Sequence, residues 1–159
     1  MKFDLLKKGF AAGLVACASV AAAEEPKSWL LMEVAESATL DNGVLVLEGV
    51  DDQVVVFADR PYRDAMDAPV QSIVEIWDKG ENSFAVDPPN AALTGLSDGK
   101  QVGLIVTLSN PKLEGGNLQF DYQTVNGIDA NKLESVSLVI DNALKYPMDC
   151  IMDAPNCRW

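Results

Sequence analysis

Alternation of apolar and polar residues is the strongest signal in this chain. Leu118, Phe120, Tyr122 and Thr124 are interleaved with Gln119, Asp121 and Gln123, the period-two signature of a strand with one wet face. Val136, Leu138 and Ile140 share one face of a strand predicted over 134–141. Residues 101–109 (QVGLIVTLS) form a clear strand and 91–96 a less marked one. Residues 53–58 (QVVVFA) are β-branched and predict a short strand buried on both faces. Asp41-Asn42-Gly43 marks a tight turn, because Asn and Gly tolerate positive φ, so residues 32–48 predict a hairpin. Trp29, Leu30, Leu31, Met32 and Val34 supply its apolar content. Further turns fall at 49–52 and 97–100, with longer connections at 110–117, around Pro111, Gly115 and Gly116, and at 126–132.

One stretch breaks this rhythm, Asp59 to Asn90. Val70, Ile73, Val74 and Trp77 recur at helical spacing. Asp67 is the expected N-cap, Pro69 lies in the first turn, and Gly80 terminates the helix. Phe84 and Val86 are expected to tuck under the following loop. Asp87-Pro88-Pro89-Asn90 is rigid and offers a place for a cis proline. The fold class expected is mainly β: an antiparallel β-sandwich of immunoglobulin-like architecture with one short helix. The alternative is a partly open β-barrel capped by the helix.

The first 23 residues change the reading of the compartment. Lys2, Lys7 and Lys8 precede an apolar run of small residues, and Ala21-Ala22-Ala23 offers a cleavage site. This predicts a signal peptide over 1–23, a β-sandwich domain over 24–147, and a periplasmic or secreted protein. Leu14-Val15-Ala16-Cys17 resembles a bacterial lipobox, so a membrane-anchored lipoprotein acylated at Cys17 is the alternative. The apolar residues after Cys17 favour ordinary cleavage at Ala23.

The formal net charge is −12. The leader's lysines leave the remainder more acidic still. Such a surface repels nucleic acid and anionic membranes. Cys150 and Cys157 in an exported chain predict one disulfide, stapling a C-terminal tail over 148–159.

The chain has no histidine. This excludes Ser-His-Asp and Cys-His nucleophilic sites, histidine acid–base chemistry and nearly all catalytic zinc sites. No Gly-rich phosphate loop joins a strand to a helix.

Three constellations remain. Asp59, Arg60, Tyr62 and Arg63, with Asn90 at the far end of the stretch, form a candidate recognition patch for an anionic group. The plainer explanation is that Arg60 pairs with Asp59 or another acid and holds the loop. Asp51, Asp52, Asp59, Asp64, Asp67 and Asp87 offer oxygens for calcium, without an EF-hand pattern. Two such acids could flank a glycosidic bond, but aromatic content argues against a carbohydrase. Met148 and Met152 beside Cys150 and Cys157 offer soft sulfur ligands for copper; outside the cytosol a disulfide with packed methionines is favoured.

Phe57-Ala58-Asp59-Arg60-Pro61, Ser83-Phe84-Ala85 with Asp87-Pro88-Pro89-Asn90-Ala91, and Asn110-Pro111-Lys112-Leu113-Glu114-Gly115 resemble an uncharacterised family of secreted bacterial proteins. That family carries F-x-D-R-P, S-F-A-x-x-P-P-N-A and N-P-x-L-E-G blocks in this order. The likeness spans about Thr39 to Ile140 and implies no known activity. Together these observations predict an exported, non-catalytic binding domain acting through Asp59–Asn90 on a protein or small ligand. The alternative is a periplasmic metal-binding protein holding calcium on Asp51 and Asp52, or copper at Met148 and Met152.

Overall fold

The computed structural model describes residues 28–127 and 130–142. The leader with Cys17, and the tail with Met148, Cys150, Met152 and Cys157, lie outside the described residues. The described residues are mainly β, with one short helix. Its elements run β1 (Trp29–Asp41), β2 (Val44–Glu48), β3 (Gln53–Ala58), β4 (Ala65–Pro69), α1 (Val70–Ile76), β5 (Asn90–Ser97), β6 (Lys100–Glu114), β7 (Asn117–Gly127) and β8 (Lys132–Asn142).

All pairings are antiparallel, in the order β2-β7-β6-β5-β8-β1-β3-β4, and a further pairing joins β2 to β1. The ladder therefore returns on itself. One edge of β1 is paired with β8, and its other edge is divided. Trp29–Met32 pair with β3, while Ser37–Asp41 pair with β2. The β1–β2 turn is the one the sequence predicts, with Asn42 and Gly43 at φ 48° and 80°. Inward residues such as Leu45, Leu47, Leu93, Val106, Leu108 and Leu138 are fully buried and form one core.

Five expectations are corrected. Asp67 is not a helix cap. It is exposed within β4, opposite Val55, because the β3–β4 ladder takes its backbone. Pro69 occupies the cap position without a side-chain hydrogen bond, and the Val70 N–H donates instead to the Asp52 carbonyl at 3.1 Å. β3 is not buried on both faces. Val54 and Val56 are buried, but Val55 is 38% exposed, because only one face of that strand is covered.

β6 does not stop at Ser109. It continues to Glu114 through a bulge: Ser109 pairs with Asp121 and Lys112 with Gln119, so β6 holds one residue more than β7 between these pairs. Asn110 takes a φ of 51° there, and Pro111, which has no N–H, sits where the ladder is interrupted. Finally, Phe84 is buried as expected but Val86 is 69% exposed, and the cis peptide is Arg60–Pro61, not within Asp87–Asn90.

α1 has only seven residues, no side-chain cap, no acid in its first turn and no base in its last. Such a helix is not stable alone. Burial of Val70, Ile73 and Ile76 against the sheet holds it. No helix among the described residues is long and apolar enough to cross a membrane.

Candidate ligand cleft

The predicted recognition patch is dispersed. Asp59, Arg60 and Arg63 are exposed and Tyr62 is half-buried. Asp59 acts as a loop anchor. Its carboxylate accepts the Arg60 backbone N–H at 2.6 Å, and its own N–H donates to the Ser28 carbonyl at 2.9 Å. Neither Arg60 nor Arg63 forms an ion pair through its guanidinium among the described residues. Asp59 and Asn90 do meet, on a shallow groove shared with Leu30, Ile105, Val139 and Asp141. Arg60, Tyr62 and Arg63 do not line it. Asn90 also accepts a hydrogen bond from the Thr107 hydroxyl at 3.1 Å.

Asp51 and Asp52 are exposed, as are Asp64, Asp67 and Asp87. Among the described residues, no three of these acids, or of other carboxylates and thiols, converge on one point.

A larger cleft lies at the other end of the same stretch. It encloses ≈ 800 Å³ between the C-terminal end of α1 and the β6 bulge. Val74, Glu75, Trp77, Asp78, Lys79 and Ala85 form one wall. Asn110, Pro111 and Lys112 of β6 and Asp121 of β7 form the other. The bulge makes this wall. Asn110 turns out of the ladder and donates to the Asp121 carboxylate at 2.7 Å.

Trp77 is the fixed element of the first wall. Its ring packs against Phe84 with centroids 4.6 Å apart and against Phe120 of β7 at 5.5 Å. The Ala85 N–H donates to the Trp77 carbonyl at 3.0 Å, which folds the loop back beside the ring. The Trp77 indole N–H is buried and has no hydrogen-bond partner among the described residues. At the rim the Lys79 ammonium lies 2.8 Å from the Asp78 carboxylate and holds that exposed acid below its usual value.

Behind the cleft lies a small cavity under α1. Val74 and Pro111 line both spaces. Leu31, Val54, Ile73, Leu118 and Phe120 are among its residues, and Glu33 also borders it, but the surface of the cavity is apolar throughout. Glu33 is 3% exposed, and neither carboxylate oxygen has a hydrogen-bond partner among the described residues. Burial pushes its pKa up to about 7. The negative Asp51 adds to the rise, and the neighbouring backbone amides of Val34 and Asp51 offset part of it without meeting hydrogen-bond geometry.

Sequence reasoning places Trp77 on the packed face of the helix but misses Glu33 and the β6 wall. The alternation itself conceals Glu33. Leu40 and Ala38 point inward, and strict alternation from there turns Val34, Met32 and Leu30 inward and Glu33 out. In the structure the inward parity of β1 changes between Ala38 and Ala35. β8 changes opposite it, between Leu133 and Val136, where Ser135 takes a φ of 50°. Trp29, Leu31, Glu33 and Ala35 therefore face the core. No family model matches the chain, and no curated protein or solved structure is significantly similar to it.

Proposed function

We propose that this chain is an exported, non-catalytic binding domain whose ligand occupies the cleft between α1 and the β6 bulge. The observation that carries this is the ≈ 800 Å³ cleft, walled by Trp77, whose ring is fixed against Phe84 and Phe120. Small-molecule sites have about 300–1,000 Å³ and apolar walls with a few placed polar groups.

Lys79, Lys112 and Glu75 at the rim supply polar contacts of both signs. The reading keeps the ligand on the Asp59–Asn90 stretch and moves it from Arg60 and Arg63 to α1 and the loop after it. Two of the blocks that carry the resemblance to the secreted family supply Ala85, Asn110, Pro111 and Lys112. The return pairing of β2 with β1 supports reading the domain as a partly open barrel with α1 across one end.

The test is a thermal-shift panel spanning sugars, amino acids, amines and small carboxylates, since a ligand of the folded state raises the midpoint. Ala85 is exposed, so Ala85→Trp should fold and fill the cleft. The proposal expects at least one class to give a saturable shift that Ala85→Trp removes. A shift that survives in the variant, or none from any class, contradicts it.

A further inference from the structure

We propose that residues 143–159 of this chain fold back over the outer face of the sheet and dock on the apolar row Ile105, Ala92, Val139, Met32 and Val55. This goes beyond the cleft reading and does not depend on it.

The row follows from strand register. Ile105 of β6 pairs with Ala92 of β5, and Ala92 with Val139 of β8. Val139 pairs in turn with Met32 of β1, and Met32 with Val55 of β3. The residues just before them, Leu104, Ala91, Leu138, Leu31 and Val54, are buried in the core, so the row lies on the opposite face. Ile105 and Val55 are each 38% exposed, and Val34, two residues along β1 from Met32, is 41% exposed. A sheet face that meets only water is normally polar. Here no charged side chain interrupts the five positions. α1 leaves this face open, because it packs on the inward side with Leu31, Val54 and Ile140. Leu30, Ala92, Ile105 and Val139 line a shallow groove of ≈ 340 Å³ on it, together with Asp59 and Asp141.

The point where β8 ends selects the occupant. β8 runs to Asn142, opposite Trp29 and one residue past Asp141 of the groove. Residues 143–159 continue from there and bring Leu144, Tyr146, Met148, Ile151, Met152 and Trp159. Reach is ample. Strands lie about 4.8 Å apart, so the row is about 19 Å across. Ala143 to Cys150 alone span up to about 26 Å when extended. Charge agrees as well. Lys145 is the first base after Asn142 and arrives beside Asp59 and Asp141, and over 143–159 Lys145 and Arg158 balance Asp149 and Asp153. A second copy would instead set another net charge of −12 against the same acids. A tethered segment also has the advantage of an effective concentration of order mM.

The experiment is methyl NMR with limited trypsin cleavage of the full chain, without added ligand. Nuclear Overhauser contacts should join the Tyr146 or Trp159 ring to methyl groups of Ile105, Val139 or Met32, and should persist on dilution. The Val86 methyl groups, exposed on another part of the molecule, should show none. Ile105→Glu puts a charge on the row at a partly exposed position that the fold tolerates. It should remove the contacts and speed cleavage after Lys145 by about tenfold or more. Val86→Glu, off the row, should leave both unchanged.

No contact between residues 143–159 and the row overturns the proposal, as does cleavage after Lys145 that is equally fast in wild type and Ile105→Glu. Contacts seen only between labelled and unlabelled molecules assign the row to a second copy. Contacts from another segment of the chain assign it to that segment. Either result also overturns the proposal.

Discussion

Glu33 and Trp77 carry polar atoms into the interior without partners among the described residues, and each has a measurable cost. A carboxyl whose pKa is raised to about 7 keeps its proton in the folded chain after the unfolded chain has lost it. Stability therefore falls as pH rises from about 4.5 to 7 and levels off above. Glu33→Gln has no such term. Relative to wild type it should gain, across that window, on the order of 3 kcal/mol, read from urea midpoints at several pH values. Parallel curves for the two proteins would contradict this. Trp77→Phe removes the orphaned N–H and keeps a packed ring, so its unfolding free energy should stay within about 1 kcal/mol of wild type, while Trp77→Ala should lose about 3–5 kcal/mol.

At the scale of elements, α1 depends on tertiary burial. Ile76 is fully buried, and Ile76→Ala should lower stability by about 2–4 kcal/mol in denaturant unfolding. Gln71 is exposed and bonds to Glu75, one turn on, at 3.0 Å, so Gln71→Ala should change it by less than about 0.5 kcal/mol. Asn110 holds a left-handed backbone and the Asp121 bond at the cleft wall. A β-branched residue tolerates that backbone poorly, and Asn110→Val should cost about 1–2 kcal/mol.

Much of this level was legible. The turn at Asn42-Gly43, the strand face of Val136, Leu138 and Ile140, and the apolar stripe from Val70 to Trp77 follow from local chemistry. β4 was not, because AMDAP carries no strand periodicity and is a strand only because β3 pairs with it. The site was less legible than the fold. Its second wall depends on a bulge that a Pro-containing stretch disguises as a loop. Its inner acid depends on a change of parity in β1 and β8 that neither strand announces alone.

At the scale of the whole molecule, the ladder that returns through β1 and β2 encloses one core, and α1 lies over the part of it that holds Glu33. The net charge of −12 sets the molecule's field. Self-repulsion should ease with screening, so the thermal midpoint should rise between ionic strengths of about 0.01 M and 0.15 M. The account depends on the Glu33 carboxyl being buried away from water. A pH titration of the Glu33 side-chain carboxyl carbon by ¹³C NMR, in the full chain without ligand, tests this most directly. A midpoint near 7 is the predicted result, and a midpoint at the ordinary 4.5 would mean that Glu33 is solvated and not buried in the core.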